Sequence, residues 1–241
     1  MASTMTPTAT LADLAANSRH AIRILEQHGL DYCCGGKQPL DAACLARGLK
    51  PEAILREIDE AVETGPMAGD WQAAPLDELV GHIIRTHHAY LKLDLPVIGA
   101  RIAKVVSVHG ARDPRRLPRL DSVFTALSTE LLIHIEKEEK ILFPAIEQYG
   151  RAETQNRPVP PVPFGSIAHP IRVMEFEHEG AGDALAEIRT LTQNFTPPDY
   201  ACSTVRALYE GLKVLERDLH VHIHLENNVL FPRAIALEKK R

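Results

Sequence analysis

Apolar residues recur at helical spacing along most of the chain, as in Ala21, Ile22 and Leu25 and again in Ile54, Leu55, Ile58 and Val62, so the pattern predicts an all-α protein. Gly29, the Gly35-Gly36 pair and Pro39 break the first stretch into short helices, which makes residues 11–66 a small helical domain behind a polar, disordered tail of residues 1–10. Residues 67–74 read as a linker that Trp71 pins to a neighbour. Residues 75–241 then hold four longer helices, at about 75–109, 115–148, 166–194 and 198–238. Pro75, Pro197 and Pro198 suit helix starts, where their missing N–H is not needed, and Thr196 is the expected N-cap of the last helix. Pro96, Pro144 and Pro232 fall inside helices and should bend them. With Pro158, Pro160, Pro161 and Pro163, the segment 150–165 reads as a mobile spacer joining two helical hairpins.

A metal-ligand pattern is written twice on these helices. Residues 134–146 and 222–235 both carry His-x-x-x-Glu followed by a hydrophobe and Leu-Phe-Pro. Residues four apart share a helix face, so His134 with Glu138, and His222 with Glu226, each aim an imidazole and a carboxylate at one spot. His87 lies 47 residues before the first pair and His178 lies 44 before the second, a separation that suits a helical hairpin. Two such hairpins form an up-down four-helix bundle whose interior would gather His87, His134, Glu138, His178, His222 and Glu226. His82, His88, His109, His169, His220 and His224 are left outside, His88 because it is rotated about 100° from His87. Leu142, Phe143, Leu230 and Phe231 read as packing around the site.

Four imidazoles with two carboxylates are too many ligands for one closed tetrahedral zinc. Two metal ions sharing two bridging carboxylates would each receive two His, with positions left open for an oxo or hydroxo bridge and a small molecule. Carboxylate-rich di-iron proteins use about four carboxylates and two His, so this set neutralises a diferric pair less and favours the exchangeable ferrous state. Such a site suits binding dioxygen or nitric oxide, or giving iron away. Glu130 and Asp218 each precede a ligand His by four residues; each could hold that imidazole's other N–H, line a cation exit, or merely support the helix.

With 45% hydrophobic residues and a net charge of −5, the chain can pack a core and lacks a basic nucleic-acid footprint. No apolar run is long enough to cross a bilayer, and the N-terminus lacks a secretory pattern, so neither a membrane nor nucleic acid is an expected partner and the cytoplasm is the expected location. The four cysteines form no disulfide framework. Cys44 and Cys202 read as small buried residues. Cys33 and Cys34, in Asp-Tyr-Cys-Cys-Gly-Gly-Lys, read as a thiol pair exposed by flexible glycines, with Lys37 favouring thiolate, and are the candidate catalytic residues, able to ligate iron or exchange electrons.

That N-terminal motif, together with the two His-x-x-x-Glu hairpins and the run Glu226-Asn227-Asn228, resembles the RIC family (repair of iron centres; YtfE, ScdA and DnrN type) of hemerythrin-like di-iron proteins over residues 11–238. The chain departs from the family's pattern in its long proline-rich connection and in extra histidines such as His169 and His224. The resemblance implies two non-haem irons bridged by the glutamates. It also implies a role in restoring iron–sulfur clusters damaged by nitrosative and oxidative stress, with damaged iron–sulfur proteins as clients and iron passing from the protein to the cluster. The residues leave open two other functions: an enzyme that reduces nitric oxide, and a sensor that binds nitric oxide or dioxygen. They also leave open a homodimer.

Overall fold

A computed structural model describes residues 6–60 and 71–240. Residues 67–70 of the expected linker, residues 61–66 at the end of the expected helical domain, and residues 1–5 of the expected tail lie outside them. Residues 6–10 are held in place: the Leu40 and Asp41 amides donate to the Ala9 and Pro7 carbonyls, both at 2.9 Å.

The N-terminal module consists of α1 (Leu11–Asn17), α2 (Arg19–Gln27), α3 (Leu40–Leu45) and α4 (Pro51–Glu60). Thr10 and Asp13 cap α1 reciprocally, and Ser18 accepts from two amides at the start of α2, so the turn between them satisfies its own N–H groups. The apolar faces close on a core of Leu14, Leu25, Leu40 and Ile54, into which the bundle inserts Ile223.

Four rods follow, three of them broken by a π-helical turn. The first is α5 (Leu76–Ile83), a π turn at Ile84–His88 and α6 (Ala89–His109). The second is α7 (Arg116–Lys137), a π turn at Glu138–Leu142 and α8 (Phe143–Thr154). The third, α9 (Ala168–Leu191), is uninterrupted, and the fourth is α10 (Ser203–Leu225), a π turn at Glu226–Leu230 and α11 (Phe231–Lys239). Pro144 and Pro232 therefore sit in the first turn of new helices just past a π turn. A proline in an α-helix clashes with the carbonyl four residues back and removes a hydrogen bond, and the wider π turn absorbs both faults.

Two sequence expectations change. The fourth rod starts at Ser203, not at Pro198, and Cys202 is its exposed N-cap residue. The proline-rich connection is anchored by Val159 and Val162, both buried in the bundle core. Trp71 does pin its neighbourhood: it stacks on His82 at 4.4 Å, and its carbonyl accepts from Arg233 at 2.8 Å.

Leu91, Leu95, Phe124, Leu212 and their neighbours fill one end of the bundle, while Leu79, Phe143, Ile146 and Phe231 fill the other. Between these apolar plugs lies a belt of buried His and Glu. One further buried acid, Glu216, is held by the Arg189 guanidinium, with Nε donating at 2.9 Å, which ties α9 to α10. Arg189→Ala strands that carboxylate. The expected cost is about 2–3 kcal/mol, below a fully buried pair because the guanidinium is half-exposed, read as a lower urea midpoint at unchanged slope.

Among the described residues no helix is long and apolar enough to cross a membrane.

Candidate metal centre

Six side chains from four rods meet in the polar belt: His88 from the first, His134 and Glu138 from the second, His178 from the third, and His222 and Glu226 from the fourth. None is more than 3% exposed, and both glutamates are fully buried. They form two groups that share the glutamates. In one, His88 Nε2 lies 3.2 Å from His222 Nε2 and 3.4 Å from Glu138 Oε2, and His222 Nε2 lies 2.9 Å from Glu226 Oε1. In the other, His178 Nε2 lies 3.0 Å from His134 Nε2 and 3.2 Å from Glu226 Oε2, while His134 Nε2 is 3.4 Å from Glu138 Oε2. Each carboxylate thus spans one imidazole pair and the other.

His87, expected here from its spacing, is not brought into the cluster, and His88 takes its place. The π turn at Ile84–His88 is the cause: one extra residue in a turn advances the helical phase by one position. Counting forward from buried Val80 and Ile83 at helical intervals points inward at 87, whereas counting back from Leu91 and Leu95 points inward at 88. The downstream register was the signal in the sequence. The other five expected side chains converge.

Second partners come from neighbouring rods, not from one turn below. Glu139 accepts from His88 Nδ1 at 2.9 Å and from Lys92 at 2.7 Å. Glu177 accepts from His134 Nδ1 at 2.7 Å and from Lys137, and Asn227 Oδ1 accepts from His178 Nδ1 at 2.8 Å. Glu130 faces solvent instead, and Asp218 accepts from His87 Nδ1 at 2.9 Å. With Nδ1 donating outward, the neutral rings of His88, His134 and His178 turn Nε2 to the interior as the acceptor atom.

The residues fit a pair of metal ions. Glu138 Oε1 and Oε2 and Glu226 Oε2 have no hydrogen-bond partner among the described residues, so the pocket concentrates acceptors. A buried carboxylate left this way costs several kcal/mol unless a cation compensates it. The imidazoles respond to the same demand. Burial alone would lower His88 and His134, yet Glu138 and Glu226 beside them outweigh it and carry the two up to about 10 and about 9. His222, also buried, is lowered by desolvation and stays neutral, as a metal ligand must be.

The Cys33-Cys34 turn is seated on this centre. Asp31 accepts from the amides of Cys33, Cys34 and Gly35 at 2.9–3.1 Å, and Cys34 Sγ donates to the His178 carbonyl at 3.6 Å. Asn228 Nδ2 donates to the Tyr32 and Cys33 carbonyls, both at 3.2 Å, and reaches His224 Nδ1 at 3.2 Å. Burial pushes His224 down to about 4, so it stays neutral and accepts. A Cβ on Gly36 would lie 2.6 Å from the Tyr32 carbonyl oxygen, so the close approach requires glycine.

The expected exposed thiolate pair is corrected. Cys33 is 5% exposed, and its thiol is pushed up by the hydrogen bond to Cys34, by burial and by Asp31. Lys37 reaches Glu175 at 3.9 Å instead of the sulfurs. Cys44 is buried as expected, but Cys202 is exposed. Asn228→Ala removes two donated hydrogen bonds, about 2 kcal/mol, and is expected to raise the alkylation rate of Cys33 and Cys34 by about thirtyfold, measured with iodoacetamide and peptide mass spectrometry.

Residues 79–234 match the hemerythrin HHE cation binding domain, and residues 7–62 match a domain of unknown function designated ScdA_N. The iron-sulfur cluster repair protein YtfE of Escherichia coli O157:H7 is 41% identical over 229 residues, covering 95% of this chain and 97% of its own. The proteins of the same name from Salmonella schwarzengrund and Cronobacter sakazakii are each 40% identical over 230 residues, with the same coverage.

Proposed function

The chain belongs to the hemerythrin-like family of iron–sulfur cluster repair proteins, and from that premise we propose that it holds two irons between its four rods and gives them up to damaged clusters in client iron–sulfur proteins. His88, His134, Glu138, His178, His222 and Glu226 would hold them in this reading, as two imidazole pairs with both glutamates shared between them. The observation that carries it is the pair of fully buried carboxylates shared between two imidazole pairs, with three oxygens that lack a hydrogen-bond partner among the described residues.

Release follows from charge. Two carboxylates supply two negative charges against the four of two ferrous ions, so the bound pair stays under-neutralised in a buried pocket. A further pair of carboxylates would hold iron more tightly and suit retention. Asp31, Cys33 and Cys34 form a third cluster of ligand atoms, seated against the His178 carbonyl. In this reading the Cys turn marks the face on which the client docks. Donation is favoured over nitric oxide reduction because Cys33 is buried beside Asp31 and held as a thiol, a poor source of electrons.

The test is reactivation. Iron-loaded protein mixed with an apo iron–sulfur enzyme under anaerobic, reducing conditions is expected to restore more activity than the same amount of free ferrous iron. Equal recovery from free iron would overturn donation, and sustained nitrous oxide production over many turnovers would put the reductase reading in its place.

A further inference from the structure

A cleft of about 500 Å³ separates α2 of the N-terminal module from α10 of the bundle. His87 and Asp218 line it, together with His20, Arg23, Glu26 and Arg217. His87 is its deepest residue, 4% exposed. Its Nδ1 is engaged with Asp218 Oδ1, which leaves the lone pair on Nε2, and that atom has no hydrogen-bond partner among the described residues. Asp218 Oδ2 is likewise buried and unpartnered. Behind His87 lies the centre itself: the His87 ring is parallel to that of His222, 7° apart in plane and 5.3 Å between centroids.

The unsatisfied atoms of these two lining residues are an imidazole nitrogen and a carboxylate oxygen, both acceptors. They repel an anion despite the arginines above them, and they are the donor types that ferrous iron takes. Side-chain exposure falls stepwise from Asp218 at 18% to His87 at 5% and His222 at 2%. The cleft walls carry two arginines against Glu26 and Asp218, and Arg217 lies 3.8 Å from Glu26, so no strong field holds a cation there. Weak ligands in sequence suit passage, not storage.

We propose that Asp218 and His87 are two successive outer stations, each offering one donor atom, along which ferrous iron passes, without change of oxidation state, between solvent and the dinuclear centre. This rests on the reading of the six-residue cluster as an iron centre. His87, which does not reach the cluster, thereby acquires a role one step outside it.

The test compares wild type, His87→Phe and Asp218→Asn as full-length apo proteins. Ferrous iron is added anaerobically in a stopped flow, and the loaded proteins are then stripped with excess ferrozine. Trp71, the only tryptophan, stacks on His82, whose ring meets His87 edge-on at 5.7 Å, and its fluorescence reports iron arriving and leaving. Both variants are expected to load and release about tenfold more slowly, by the same factor in each direction, with two irons still bound at equilibrium. Equal slowing both ways is the mark of a transit site, whereas a structural defect changes affinity. Wild-type rates in both variants, or a loss of affinity with uptake unchanged, would overturn the proposal and leave the iron centre standing. Failure of the wild type to take two irons would overturn both. Phenylalanine keeps the ring against His222, and asparagine is isosteric with Asp218, so a folding failure in one variant leaves the other decisive.

Discussion

With both shared carboxylates converted to amides, Glu138→Gln and Glu226→Gln together, the protein is expected to lose its iron and yet, stripped of metal, to melt higher than the wild type. The two effects have one cause. Both glutamates are fully buried, and three of their four oxygens lack a hydrogen-bond partner among the described residues. A metal pair turns that cost into binding energy; without metal it remains a cost, relieved only by protons on His88 and His134. Glutamine carries no charge, and its amide N–H groups can donate to the Nε2 lone pairs. Relieving a buried ionic cluster in this way stabilises a fold by about 1–4 kcal/mol. In a chain of this size each kcal/mol moves the melting temperature by about 2–4 °C. Iron affinity should fall by well over the roughly 100-fold typical of disturbing a ligand's supporting partner, since each iron loses both of its anionic ligands. Iron-loaded wild type should melt highest, since ligand at about 100 times its dissociation constant adds about 2.7 kcal/mol. Iron content with calorimetry decides it, and a double variant that still binds two irons, or apo proteins that melt in the opposite order, would remove the basis of the proposed centre.

Adjacent histidines give the second contrast. His88→Ala is expected to reduce iron from two per chain to about one and to abolish the Mössbauer signature of a coupled pair, because His88 and His222 fall in the same group of ligand atoms. His87→Ala should retain both irons at equilibrium, since its imidazole lies outside the cluster and is engaged with Asp218. The reverse result would mean that the first rod keeps an unbroken α-helical register and that His87 points inward.

That contrast also marks where sequence reading reaches its end. The all-α bundle, the duplicated His-x-x-x-Glu pairs and the lone His178 were legible because helical periodicity brings residues four apart onto one face, and because the pattern occurs twice in matching context. The supporting partners were not. Glu139, Glu177 and Asn227 come from neighbouring rods, and no spacing within one helix announces that Glu177 will meet His134 or that Asn227 will meet His178. The motif Glu226-Asn227-Asn228 stood out as diagnostic, but its division of labour required the fold: Glu226 faces the centre, Asn227 orients an imidazole and Asn228 holds the Cys turn.

The thiol pair shows the same limit from the other side. Flexible glycines and a nearby lysine suggested an exposed thiolate, a local inference from local residues. The module instead docks on α10, Gly36 admits the close contact, and Cys33 is buried beside Asp31.

Along the chain, the order of polar and apolar residues determined what the elements are and which side chains they can offer, because each helix face is set by its own sequence. Only the tertiary structure decided which of two adjacent histidines enters the centre, where its carboxylates find their neighbours and what covers the cysteines. Those outcomes depend on π turns that shift the helical phase and on contacts between rods far apart in sequence, and neither leaves a local period to read.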